Sequence, residues 1–178
     1  IVDANKIPID ETVSFGTVTI LNDDKANLLA AETATGPQSD IELLTQEQLD
    51  PIVVEAITRW EEALIDTDID VALIMSKIDF QIVDFKGYER EILGQTTPDM
   101  ICIDADAAGW GWFVDPTPAD DVEFAGNSAA PAGMDLLTVV MHEMGHALGY
   151  DDAASDSDNL MSATLNAGER LVVMDTSA

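Results

Sequence analysis

The sequence predicts an α+β domain, and three observations carry that prediction. Apolar residues recur at helical spacing over residues 45–65, short β-rich runs follow between residues 79 and 114, and a second apolar helix over residues 134–148 stops at a glycine. The chain has 178 residues, 47% of them hydrophobic, which suits one ordinary domain with a real core and some extension.

The elements can be justified in order. Thr12 to Leu21 alternates polar and apolar positions and is closed by Asn22-Asp23-Asp24, so it reads as a strand and turn. These ten residues resemble the closing strand of the Calx-beta sandwich modules of large secreted bacterial proteins. Residues 30–40 are small and polar with Gly36-Pro37 among them, and read as a linker. The domain proper is therefore expected over residues 41–178, with residues 1–40 as an extension or the tail of an upstream β module. Thr45-Gln46-Glu47-Gln48 forms a capping box, and Leu49, Ile52, Val53, Ala56, Ile57, Trp60, Ala63 and Leu64 keep the helical period, giving a core helix to about Ile65. Strands are expected at 79–85, 91–96, 100–104 and around 109–114. The stretch from Asp104 to Phe124 is too polar and too broken for continuous secondary structure. Its acids Asp104, Asp106, Asp115, Asp120, Asp121 and Glu123 either hold a structural Ca²⁺ or decorate a solvated loop; no EF-hand spacing occurs.

The last helix carries the chemistry. Met134 to Met141 supplies apolar residues where a buried helix needs them, and His142-Glu143-Met144-Gly145-His146 continues it with both of the chain's histidines. Histidines at i and i+4 put two imidazoles on one helical face, one turn apart, able to grip a single metal ion. A glutamate beside the first ligand can take a proton from a metal-activated water, and such a site hydrolyses peptide bonds. Gly149 falls where the helix ends and accepts the left-handed backbone that turns the chain sharply. Three residues later comes Asp152, with Asp151 beside it, and either carboxylate offers a third ligand. Farther on, Asn159-Leu160-Met161-Ser162 places a methionine in a short polar turn.

The run from Val140 to Leu165 resembles the metzincin metalloproteases, and within them the matrixin-type domains of secreted bacterial proteins. The pattern H-E-x-x-H-x-x-G-x-x-D departs from theirs at the third ligand, an aspartate instead of a histidine, as in the snapalysin-type proteases. The resemblance implies Zn²⁺ bound by His142, His146 and Asp152, Glu143 as general base, and Met161 beneath the metal. It implies a small, twisted, mostly parallel sheet with an antiparallel edge strand, a backing helix, the zinc helix and a small C-terminal subdomain. It also implies a substrate laid on the sheet edge as an added strand, for which 109–114 is the candidate edge, with Trp110 and Trp112 pinning the loop or lining the cleft. A strand usually precedes the first long helix in this family, and Thr12–Leu21 is the candidate. In some relatives a tyrosine two residues past the turn methionine assists; here Ala163 stands there. An anionic third ligand leaves a less positive site and a weaker Lewis acid, so more falls to Glu143.

Composition limits the partners. Lys+Arg 7 against Asp+Glu 35 gives a net charge of −28, which repels nucleic acid and anionic membranes. Such charge suits a secreted, extracellular bacterial protein in a salty or calcium-containing medium, where ions screen self-repulsion. The single Cys102 precludes an intrachain disulfide and, flanked by Ile101 and Ile103, reads as a buried thiol and not a latency switch. The expected partner is a protein or peptide substrate. A chain opening at Ile1 without methionine is expected to be part of a larger secreted polypeptide. The rival functions are a silent binding module of an adhesin-like protein, or a domain that processes only its own parent chain.

Overall fold

The computed structural model describes residues 27–32, 41–87, 91–125, 131–153 and 159–173. The first long helix, α1 (Gln46–Ala63), starts as the capping box predicts: Gln48 accepts from the Thr45 N–H at 3.0 Å. Its buried residues Leu49, Ile52, Ala56 and Trp60 form the stripe that the helical period set out, each burial stabilising by roughly 1.5–3 kcal/mol for the larger side chains. A short helix α2 (Val71–Met75) follows, capped by the Asp70 side chain on the Leu73 N–H at 2.9 Å. Five residues are too few to show a period, so this helix carries no signal in the sequence.

The strands β2 (Asp79–Val83), β3 (Ile92–Thr97) and β4 (Met100–Asp104) form close to the expected ranges. With β1 (Asn27–Ala30) and β7 (Thr164–Leu165) they build one sheet in the order β2-β4-β3-β1-β7. β2 and β4 are parallel, β3 is antiparallel to both β4 and β1, and β1 is parallel to β7. Four strands therefore run one way and β3 runs the other, the mostly parallel arrangement of a metzincin sheet. The antiparallel strand is not the outermost, because β1 and β7 lie beyond it.

Two expectations need correction. Residues 1–40 were placed outside the domain, yet Asn27–Ala30 is hydrogen-bonded into its sheet. Asn-Leu-Leu-Ala shows no alternation of polarity and no β-branched residue, so its strand character comes wholly from neighbours on both sides. Second, 109–114 is not an edge of the main sheet. β5 (Trp112–Phe113) pairs in parallel with β6 (Met134–Asp135) as a separate two-stranded sheet. Its tryptophans pin the loop: Trp112 Nε1 donates to the Asp104 carbonyl at 2.9 Å and Trp110 Nε1 to that of Glu32 at 3.1 Å. The Thr12–Leu21 strand lies outside the described residues.

Helix α3 (Leu136–Ala147) is packed against β3 and α1, and Leu136 through Gly145 are all buried. Asp135 caps it by accepting from the Thr138 N–H at 3.1 Å. From α1, Trp60 Nε1 donates to the Met141 carbonyl at 2.9 Å, holding the turn just ahead of His142. No helix among the described residues is long and apolar enough to cross a membrane.

Candidate metal centre

Helix α3 delivers His142 and His146 on one face, their rings edge to face with centroids 4.6 Å apart. The chain then turns at Gly149, whose φ is +96°, the left-handed conformation expected of it. Asp152 comes back over the helix end, its Oδ1 3.4 Å from His142 Nε2 and 3.2 Å from His146 Nε2. Among the described residues these three form the group able to hold a metal ion, and Asp151 is exposed outside it.

The donor chemistry at this point is informative. His142 Nδ1 lies 2.9 Å from the Leu160 carbonyl and His146 Nδ1 2.9 Å from that of Tyr150. A carbonyl only accepts, so each Nδ1 carries a proton, and in the neutral ring Nε2 is then a bare lone pair. The two Nε2 atoms nevertheless face each other at 2.9 Å, with a carboxylate oxygen alongside. Three electron-rich atoms so close repel unless a cation sits among them. Donor atoms at two corners of a tetrahedron around zinc are about 3.3 Å apart for bonds near 2.0–2.1 Å, and the separations here scatter around that distance. The site therefore fits zinc in donor type, tautomer and spacing.

Protonation tendencies follow the same geometry. Burial works against charge on His142, but its bond to Asp152 and the neighbouring Glu143 raise its pKa above the ordinary value. Burial and the adjacent His142 lower that of His146. The facing His142 ring foremost, which stabilises the charged carboxylate when it takes a proton, lowers that of Asp152.

Glu143, on the neighbouring face of α3, is fully buried under the sheet. Its Oε1 accepts from the Leu28 N–H at 3.2 Å and its Oε2 from the Thr96 hydroxyl at 2.7 Å. Burial pushes this carboxyl up to about 7, against the pull of His142 and of those hydrogen bonds. Room for it exists because residue 94 is a glycine: a Cβ there would lie 2.7 Å from both Glu143 Cγ and Oε1. Gly145, between the histidines, does the same for Met161, whose sulfur occupies the space a Cβ would take. Met161 is buried against that turn of α3, held by its own N–H on Asn159 Oδ1 at 2.8 Å. Gly94 and Gly145 were not singled out from sequence, although a glycine inside a strand and one inside a helix both signal close approach.

Four acids of the 104–124 stretch face partners within the protein. Asp104 accepts from the Phe85 and Ala108 N–H groups at 3.0 and 2.8 Å, and Asp106 pairs with Lys86 Nζ at 2.8 Å. Asp115 and Asp121 lie 2.8 and 3.0 Å from Arg170 Nη1, and Arg170 also grips Asp135 through Nε and Nη2 at 3.0 and 2.8 Å. Burial opposes the Arg170 charge, yet Asp135 and the other carboxylates hold its pKa above the ordinary range. Nothing in the sequence near Arg170 announced this cluster. Cys102 is buried in β4, as its apolar neighbours suggested.

The family model described as Matrixin, of the M10 peptidases, matches residues 23–176. Neither the curated proteins nor the solved structures give a match.

Proposed function

The chain belongs to the matrixin family of zinc-dependent peptidases, and on that premise we propose that it is an endopeptidase in which His142, His146 and Asp152 hold the zinc and Glu143 moves the proton. The carrying observation is the convergence of two imidazole Nε2 atoms and one carboxylate oxygen within 3.4 Å of one another. Zinc held there supplies Lewis acidity towards a scissile carbonyl and towards water. The chain's residues do the rest. Leu160 and Tyr150 fix the two ring orientations through their carbonyls, and Met161 packs against Gly145 between the two histidines. Thr96 orients the Glu143 carboxylate, which takes a proton from the attacking water and returns it to the leaving nitrogen. An excess of 28 negative charges supports a working place outside the cell, in a medium whose salt screens them.

Metal analysis joined to a peptide-cleavage assay tests the proposal. One zinc per chain and cleavage that is lost on chelation and regained on adding zinc are expected. Asp152→Ala should weaken zinc binding by on the order of 100-fold or more, since removing a ligand costs at least what removing a ligand's support does. Full zinc content and full cleavage in that variant would discard the ligand set.

Gly94→Ala gives a second expectation. Its methyl group meets Glu143 Cγ and Oε1 at 2.7 Å, so the carboxylate must move while the histidines stay. A displacement of about 1 Å costs roughly 100-fold in kcat/KM, with zinc content unchanged. A variant as active as the parent would show that the position of this carboxylate is not critical.

A further inference from the structure

β1 is placed as a bound peptide would be. Its Leu29 and Ala31 N–H groups donate to the Ala163 and Leu165 carbonyls at 3.2 and 2.8 Å, and the Ala30 N–H donates to the Glu91 carbonyl at 2.9 Å on the opposite side. By the alternation of a strand, the Leu28 N–H also faces the β3 side. There it meets the Glu143 carboxylate at 3.2 Å. The ladder between β1 and β3 is irregular at this step, with the register shifting between Leu28 and Leu29. The Leu28 side chain is 1% exposed, while Asn27 before it is held by Gln95 Nε2 at 2.7 Å. A strand clamped on both sides, one apolar side chain buried, and an amide nitrogen against the proton-carrying carboxylate together describe a substrate.

We infer that Asn27–Ala31 is an intramolecular substrate strand and that the site hydrolyses the Asn27–Leu28 peptide bond of its own chain. The inference rests on the zinc-peptidase reading and supplies that site's first substrate. Water adds through its oxygen to the Asn27 carbonyl carbon, giving up a proton to Glu143. The bond from that carbon to the Leu28 nitrogen breaks, and Glu143 passes the proton to the departing nitrogen. The products are an Asn27 carboxylate and a new amino terminus at Leu28, with water the only co-reactant. Residues 28–31 remain tethered to the domain through the chain leading to α1, so they hold the cleft until they peel away.

The test follows the full chain by intact-mass and N-terminal analysis after zinc loading. The expected result is a fragment boundary between Asn27 and Leu28, appearing at a rate that does not change across a dilution series. Glu143→Gln should slow it at least about 100-fold while retaining zinc. Leu28→Asp should suppress cutting at this bond, since a carboxylate cannot occupy the buried position of that leucine. Adding wild-type protein to the Glu143→Gln chain should leave the latter whole. An intact wild-type chain that still cuts an added peptide library overturns the inference and leaves the peptidase reading standing. Cutting at another bond, or of the Glu143→Gln chain in trans, also overturns it. A zinc-loaded protein that cuts neither itself nor any peptide removes both.

Discussion

Glu143→Gln should lower peptide cleavage by about 10²–10⁴-fold while leaving the zinc content and the fold in place. The metal is unaffected because Glu143 is not one of the three converging donors. The fold is unaffected because glutamine satisfies both hydrogen bonds. Its carbonyl oxygen accepts from the Leu28 N–H as Oε1 does now at 3.2 Å. Thr96 Oγ1 is 2.7 Å from Glu143 Oε2 and 2.9 Å from the Glu143 main-chain carbonyl. The hydroxyl can therefore donate to that carbonyl and accept from the glutamine amide. Loss of a buried carboxylate of unfavourable solvation also removes a destabilising term, so thermal stability should hold or rise. Glu143→Ala is the poorer probe, because it removes both carboxylate oxygens that now accept from the Leu28 N–H and the Thr96 hydroxyl. Turnover of the glutamine variant within a few-fold of the parent would exclude Glu143 as the proton carrier.

Arg170→Met should destabilise the fold by about 3–5 kcal/mol, the cost of leaving buried charges without their partner. The Arg170 side chain is 2% exposed, and those of Asp115 and Asp135 are 0% and 1% exposed. The guanidinium faces both carboxylates at once, with two nitrogens on Asp135 and Nη1 2.8 Å from Asp115, and lies 4.3 Å over the Phe124 ring. Asp135 is also the cap of α3, so the loss reaches the helix that carries His142 and His146. For a domain of this size the melting temperature should fall by on the order of 10 °C, read by thermal unfolding in zinc. Arg170→Lys should recover only part, since one ammonium cannot reproduce a two-pronged grip. A shift of a degree or two in Arg170→Met would mean that the cluster contributes little.

The same cluster implies acid sensitivity. Burial pushes the Asp121 carboxyl upward, but hydrogen bonds from Arg59 and Arg170 more than reverse this and leave its pKa depressed. A depressed carboxylate contributes stability that is complete above its unfolded value of about 4 and disappears as pH falls below it. Stability followed from pH 6 downward should therefore begin to drop near pH 4 from this source.

What could be read from sequence was local. The capping box before Leu49, the helical period through Trp60 and the β-rich runs around Phe80, Leu93 and Ile101 each occupy a few consecutive residues. Interactions at i+3 and i+4 dictate the helical ones, and β-favouring residues on an extended backbone of period two the strands. The spacing of His142 and His146 is of the same kind, since a helix of any context brings them to one face. Gly149 signalled the turn by its own conformational freedom.

What escaped was distant in the chain. The Leu28 N–H meets Glu143 across 115 positions, and Arg170 reaches Asp135 across 35. A strand as short as Asn27–Ala30 has no period of its own and exists only because β3 and β7 leave a place for it. The chain by itself thus determined the two long helices, the strands of residues 79–104 and the donor types, all consequences of neighbouring residues on regular backbone. Tertiary structure alone decided that Glu143 lies against the chain's own amide and that Arg170 gathers Asp115 and Asp135. Those outcomes depend on how separate elements pack, and no local rule of spacing contains them.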